Sequence, residues 1–153
     1  MTVSGNTFGY FISIAEAPIF PAMRATRSFA AKLVVVIDDD PLVLEATGGL
    51  LRSWGFQVIV AQCFDEALKH LAQASRRPDV IVCDYRLSNG ATGIDAIEGL
   101  RCAFEIPALL MSGDSSCPPY DVGRDGCQLL HKPVNAEAFR AALMDACALR
   151  NSA

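Results

Sequence analysis

Polar side chains that could bind a metal ion or a phosphoryl group stand at the ends of four short apolar runs. Three consecutive carboxylates, Asp38, Asp39 and Asp40, follow the first run, Asp84 follows the third, and Ser112 and Lys132 end the fourth and fifth. Adjacent carboxylates repel one another unless a cation neutralises them. Mg²⁺ accepts carboxylate oxygens together with water and phosphate oxygens. Because a lysine and a hydroxyl suit the charged oxygens of a phosphoryl group, the residues indicate a phosphoryl-handling site.

The five apolar runs that would carry these residues are each too short for a helix. Their hydrophobicity is continuous rather than alternating, which is typical of strands buried on both faces of a parallel sheet. The predicted strands span residues 33–37, 58–61, 80–83, 108–111 and 128–130. Ligands of parallel α/β sheets bind beyond the carboxyl ends of the strands, so we expect the polar residues to meet at that edge.

Stretches with helical periodicity lie between the predicted strands. The predicted helices span residues 42–54, 64–73, 94–104 and 136–149, with Asn135 as the N-cap of the last. The alternation of strands and helices predicts an α/β fold with a doubly wound, five-stranded parallel sheet and right-handed crossovers. Residues 115–126 contain two prolines and two glycines, so we expect the fourth helix of the fold, which falls there, to be short or irregular.

Length, composition and charge narrow the class of protein. The chain has 153 residues, enough for one domain, and 52% of them are hydrophobic, which excludes a disordered chain. Its net charge of −4 provides no basic surface for nucleic acid or an anionic membrane. No stretch reaches the roughly 18–20 apolar residues that cross a bilayer, and no basic residue precedes the apolar segment 8–20, as a signal peptide would require. We therefore expect a cytoplasmic protein that binds neither nucleic acid nor membrane.

Four motifs at the predicted strand ends resemble those of the receiver domains of two-component response regulators. They are VVVIDDDP at 34–41, VIVCDYRL at 80–87, LLMSGD at 109–114 and HKPV at 131–134. The resemblance implies a flavodoxin-like topology and a receiver domain over residues 32–150, preceded by an extension, residues 1–31, that we expect to be partly mobile. The motifs look most like those of receiver domains in hybrid sensor histidine kinases.

The resemblance implies a phosphoacceptor and a metal site. Asp84 would take a phosphoryl group from a phosphohistidine. Mg²⁺ (or Mn²⁺) would be bound by Asp84, by Asp39 directly, by Asp38 mostly through water, and by the backbone carbonyl of Arg86. Asp40 would be a solvated neighbour of these ligands.

The resemblance also implies groups that bind the phosphoryl group and set its lifetime. Ser112 and Lys132 would contact the phosphoryl oxygens, and a cis peptide bond between Lys132 and Pro133 would position the lysine. Arg86 and Asp114 would tune how long the phosphoryl group survives. The implied partners are a sensor histidine kinase or a histidine phosphotransfer protein, with a homodimer as a further candidate. The protein would be a signalling domain, with at most self-phosphorylation and slow autodephosphorylation.

Other interpretations of the same residues stay open. Many receivers carry a readout aromatic where this chain has Leu129, which favours a receiver-like interaction module that is never phosphorylated. A small phosphatase of the haloacid-dehalogenase type would use Asp38 as nucleophile and Asp40 as acid, but would leave Asp84 without a role. The three consecutive acids also suit an ordinary turn and N-cap before Pro41.

Overall fold

The computed structural model describes residues 32–113 and 127–151, which form a parallel sheet flanked by helices. The strands are β1 (Leu33–Ile37), β2 (Gln57–Ala61), β3 (Val80–Asp84), β4 (Ala108–Ser112) and β5 (Cys127–His131). The α-helices are α1 (Pro41–Ser53), α2 (Phe64–Ala74), α3 (Gly93–Ala103) and α4 (Ala136–Asn151), and a short 3₁₀ helix spans Ser88–Gly90. These bounds agree with the predicted ones to within two residues.

The strands lie in the order β2-β1-β3-β4-β5 and all neighbours pair in parallel. This is the flavodoxin-like topology that the resemblance implies, and it confirms the doubly wound, five-stranded parallel sheet predicted from the apolar runs. The order reverses beside β1, and the crevice at such a reversal is where ligands of doubly wound sheets bind. Since every strand is parallel, all five carboxyl ends face one edge of the sheet.

Alternate residues of the strands pack into two apolar cores, one on each face of the sheet. In β1, Val35 and Ile37 belong to the core beneath α2 and α3, whereas Val34 and Val36 belong to the core beneath α1 and α4. All five β1 residues are buried, which explains why the hydrophobicity of this run is continuous rather than alternating.

Side-chain caps set the starts of two helices, and a glycine follows the far end of α1. The Asp40 carboxylate accepts a hydrogen bond from the Leu42 N–H at 2.9 Å and so caps α1. Gly55 follows the other end of α1 with a φ of 97°, a conformation that glycine adopts readily. The Asn135 side-chain oxygen accepts from the Ala138 N–H at 2.7 Å, which confirms the predicted cap of α4.

Some expectations fall on residues outside the described ranges. These are the extension 1–31, the short or irregular fourth helix within 115–126, and Asp114. Within the part of the chain that the structure describes, no helix combines the length and the apolar character needed to span a membrane.

Gly93, the first residue of α3, lies directly against the backbone that carries Asp84. Its N–H donates to the Tyr85 carbonyl at 2.7 Å, and a Cβ here would overlap the Asp84 carbonyl oxygen and approach Leu110 Cδ1 to 2.8 Å. We expect Gly93→Ala to lower the free energy of unfolding by about 1–3 kcal/mol, as overpacking does, in urea denaturation.

Gly49 of α1 provides the matched control for that substitution. A Cβ at Gly49 meets nothing within 4 Å, and alanine is favoured over glycine in a helix interior by about 1 kcal/mol. Gly49→Ala should therefore leave the protein as stable as the wild type or more so. Equal unfolding midpoints for the two variants would show that the contact at Gly93 is easily relieved.

A candidate acidic site at the carboxyl ends of the strands

Three carboxylates from two neighbouring strands converge at this edge of the sheet. Ile37 of β1 pairs with Cys83 of β3, so the residues that follow them, Asp38 and Asp84, emerge side by side. One carboxylate oxygen each from Asp38, Asp39 and Asp84 lies within 4.8 Å of the other two. These are the three acidic side chains that the resemblance to receiver domains implies as metal ligands, whereas the strand-end pattern alone also included Asp40.

Asp38 is the most buried of the three carboxylates, with 6% of its side chain exposed. One of its oxygens accepts a hydrogen bond from the Asp40 N–H at 3.0 Å. Burial raises the pKa of Asp38, and the nearby charges of Asp84 and Asp39 raise it further, while the Asp40 N–H and Lys132 act in the opposite direction. The site therefore holds a carboxylate whose charge is incompletely compensated.

Lys132, which follows β5 directly, supplies a positive charge to this cluster. Its Nζ atom lies 2.6 Å from Asp84 Oδ1 and 4.0 Å from Asp38 Oδ2, and 34% of its side chain is exposed. The backbone N–H of Lys132 donates to the Ser112 carbonyl at 2.8 Å, and the bond to Pro133 is cis. This ammonium thus lies against two of the three clustered carboxylates and offsets part of the negative charge of the cluster.

Ser112 lies at the same edge as the last residue of β4. It is buried, and its neighbour Met111 pairs with Asp84 in the sheet register. Ser112 itself pairs with His131 of β5, and His131 is exposed. The described strands therefore bring a hydroxyl, an ammonium and three carboxylates to one edge.

Asp40 and Arg86 occupy different positions from the clustered acids. Asp40 is exposed and caps α1, so the turn-and-cap interpretation holds for this acid, whereas Asp38 and Asp39 face Asp84. Arg86 is exposed in the loop after β3, where it forms an isolated antiparallel bridge with Thr92.

Two further residues touch the site. The Ser88 hydroxyl donates to Asp39 Oδ2 at 3.1 Å, a contact that sequence reasoning missed because 49 residues separate the partners and no motif links them. Cys83 is fully buried beside Asp84. Burial and the adjacent carboxylates raise the pKa of its thiol well above its usual range, so Cys83 is an unreactive core residue.

Residues 34–144 match the family model of the response regulator receiver domain. The chain belongs to this family. It is therefore a receiver domain of two-component signalling. In general, receiver domains act as signalling domains and not as enzymes.

Two named relatives agree with this assignment. The receiver domain is 35% identical over 93 residues to the phyllosphere-induced regulator PhyR of Methylorubrum extorquens, a match that covers 58% of this chain and 34% of PhyR. It is 38% identical over 125 residues to the transcriptional regulatory protein KdpE of Mycobacterium tuberculosis, covering 79% of this chain and 53% of KdpE. The chain thus spans between a third and just over half of these relatives.

Among solved structures, a receiver domain protein from Clostridium thermocellum superposes with a TM-score of 0.68 at 21% identity, covering 78% of this chain and 97% of that one. At this identity the likeness shows the fold. The two named relatives are regulators, and the narrower resemblance to receivers of hybrid kinases stays a prediction.

The raised pKa of Asp38 predicts how stability depends on pH in the metal-free receiver. The folded state holds this proton more tightly than the unfolded chain, so the contribution of Asp38 to stability is largest below its ordinary pKa of 3.8 and is lost as pH rises through the raised value. Asp38→Asn removes the charge and keeps an oxygen that can accept from Asp40. We expect this variant to be more stable than the wild type near neutral pH, with a difference that shrinks towards pH 3.8.

Thermal melts in a metal chelator across this pH range measure that difference. An Asp38→Asn variant that is less stable than the wild type at neutral pH would contradict the prediction. A difference that does not change with pH would do the same, because it would show that packing rather than charge separates the two proteins.

Proposed function

We propose that this receiver domain, spanning residues 32–150, accepts a phosphoryl group from a phosphohistidine onto the carboxylate of Asp84. The observation that carries the proposal is the Lys132 ammonium held 2.6 Å from Asp84 Oδ1, within a cluster that also contains Asp38 and Asp39. A carboxylate nucleophile, an adjacent cation and further acidic ligands are the groups that phosphoryl transfer to an aspartate requires.

The donor set fits Mg²⁺ (or Mn²⁺). Asp38, Asp39 and Asp84 offer carboxylate oxygens close to one another, and hard divalent cations prefer such oxygens, with water completing the shell. The backbone carbonyl of Arg86 would add a ligand. When bound, the ion would neutralise charge on the phosphoryl oxygens and on the acceptor.

The proposed transfer is a single displacement at phosphorus. A carboxylate oxygen of Asp84 attacks, the new O–P bond forms as the N–P bond of the phosphohistidine breaks, and the electron pair of that bond returns to the imidazole nitrogen. Lys132 already contacts Asp84 and would pair with the transferred phosphoryl group. The buried Ser112 hydroxyl would donate a hydrogen bond to one of its oxygens.

The proposed partners are a sensor histidine kinase or a histidine phosphotransfer protein, which present the phosphohistidine. A small acyl phosphate could replace them in self-phosphorylation, and water would release the group slowly. Arg86 and Asp114, two residues beyond Asp84 and Ser112 respectively, would tune that release.

Leu129 favours a second candidate function, that of an interaction module that is never phosphorylated. The side chain is partly buried and packs against the core beneath α2 and α3. A leucine has no ring to rotate and no hydroxyl, so it could not provide the aromatic readout that the resemblance associates with this position.

Incubation with acetyl phosphate, with and without Mg²⁺, tests the proposal. Intact-mass spectrometry should show one phosphoryl group per chain in the presence of Mg²⁺ and none with a chelator. The group should be lost in hydroxylamine, which cleaves acyl phosphates and spares phosphate esters. A chain that takes no phosphoryl group and does not bind the phosphoryl mimic beryllofluoride would instead support the interaction module.

A further inference from the structure

The loop between β3 and α3 touches the acidic site at Ser88. The Ser88 hydroxyl donates to Asp39 Oδ2 at 3.1 Å, and both side chains are exposed at the rim of the site. Asp39 follows β1 and Ser88 follows β3, so this hydrogen bond connects the two chain segments that carry the clustered carboxylates.

Hydrogen bonds within this loop hold Ser88 in place. The Leu87 N–H donates to the Ala91 carbonyl at 3.1 Å, and the Ala91 N–H donates to the Ser88 carbonyl at 3.3 Å. At the base of the loop, Arg86 and Thr92 form an antiparallel bridge. Ser88 therefore lies in a closed, hydrogen-bonded turn, which fixes the backbone from which its hydroxyl reaches Asp39.

We propose that Ser88 is a positioning residue for Asp39, holding its carboxylate in the orientation that binds the divalent ion. The proposal rests on the function proposed above, in which Asp39 is a metal ligand. An exposed carboxylate samples several side-chain rotamers, and ordering it on metal binding costs conformational entropy. A donor that holds the carboxylate beforehand lowers that cost, and a carboxylate oxygen that accepts one hydrogen bond keeps lone pairs for a metal ion.

The expected loss of Mg²⁺ affinity can be estimated from other metal sites in which a side chain donates a hydrogen bond to a metal ligand. Loss of a hydrogen bond to a ligating carboxylate typically weakens metal binding by about 10–100-fold. Because Ser88 and Asp39 are both exposed, water can partly replace the hydroxyl, and we expect the lower end of that range.

Mg²⁺ titration by isothermal calorimetry on the full chain tests this role. Ser88→Ala should raise the Mg²⁺ dissociation constant by about tenfold, and Ser88→Thr, which keeps the hydroxyl, should restore it to near the wild-type value. Ser53→Ala is the control, because the exposed Ser53 hydroxyl donates to the Leu50 carbonyl at the far end of α1, about 20 Å from the site.

Phosphorylation kinetics provide a second readout that a purely structural defect would not reproduce. The Mg²⁺ concentration for half-maximal phosphorylation by acetyl phosphate should rise in Ser88→Ala by the same factor as the dissociation constant. The rate at saturating Mg²⁺ should stay close to that of the wild type, because Ser88 is proposed to act on ion binding rather than on the transfer itself.

The possible results separate this role from the proposed function. Equal Mg²⁺ affinities for Ser88→Ala and the wild type would overturn the role of Ser88 alone. Tighter binding by Ser88→Ala would also overturn it, since the hydroxyl would then compete with the ion for Asp39. A wild-type chain that binds no Mg²⁺ and takes no phosphoryl group would overturn both proposals.

Discussion

Asp84→Asn should reduce phosphoryl incorporation from acetyl phosphate to background, a loss of at least about 10³-fold. The amide has no anionic oxygen to attack phosphorus, and it loses the charge that holds the Lys132 ammonium at 2.6 Å. Asp84 is the carboxylate nearer to the Lys132 ammonium, because Asp38 Oδ2 lies 4.0 Å from the same Nζ atom. The measurement is the fraction of chain carrying a hydroxylamine-labile phosphoryl group.

Asp145→Asn is the matched control for Asp84→Asn. Asp145 is exposed in α4 and lies outside the acidic cluster, so the same carboxylate-to-amide change there should leave incorporation at the wild-type level. Circular dichroism should show that both variants fold. Undiminished hydroxylamine-labile labelling of Asp84→Asn would move the acceptor to another carboxylate and contradict the proposed function.

Asp38→Asn distinguishes the haloacid-dehalogenase interpretation from this proposal. In that interpretation Asp38 is the nucleophile, so its loss would abolish turnover of p-nitrophenyl phosphate while Asp84→Asn would leave turnover intact. The structure places Asp84, which would have no role in such a phosphatase, in contact with Lys132, and the family match agrees with the receiver interpretation.

The sheet and the clustered acids could be predicted because each follows from a local pattern. Strands buried on both faces produce continuous apolar runs, as β1 does with all five residues buried. Parallel pairing then places the residue after each run at one edge, which brings Asp38 next to Asp84 and directs Lys132 towards both. The predicted fold and the predicted meeting of these side chains therefore rest on the same physical rule.

The parts of the site that could not be predicted depend on loop conformation. Three consecutive aspartates look alike in the sequence, so the residue types alone do not separate them; the resemblance implies that Asp40 is a solvated neighbour, and the structure shows it capping α1 while Asp38 and Asp39 join the cluster. Ser88 and Asp39 are 49 residues apart in the chain. They meet only because the fold brings β1 beside β3 and because the turn after β3 is closed, and neither condition can be read from the residues themselves. The lack of space for a side chain at Gly93 likewise depends on the tertiary structure, because the first residue of α3 lies against the Asp84 backbone.

Mg²⁺ should stabilise the wild-type fold and should have little effect on Asp39→Asn. At a Mg²⁺ concentration 100 times the dissociation constant, a ligand that binds only the folded state contributes about 2.7 kcal/mol. For a chain of this size that is an increase in melting temperature of about 5–10 °C. Asp39 is exposed, so removing its charge should change the melting temperature in a chelator by no more than about 2 °C, in line with other surface substitutions.

Comparison with Asp38→Asn makes this prediction specific to the metal. That variant should melt above the wild type in a chelator, because the buried carboxylate destabilises the metal-free fold. Added Mg²⁺ should narrow or reverse the difference, since the ion supplies the missing positive charge to the wild-type cluster. Equal Mg²⁺-induced shifts in the wild type, Asp38→Asn and Asp39→Asn would show that the ion binds elsewhere, and the proposed metal site would then be wrong.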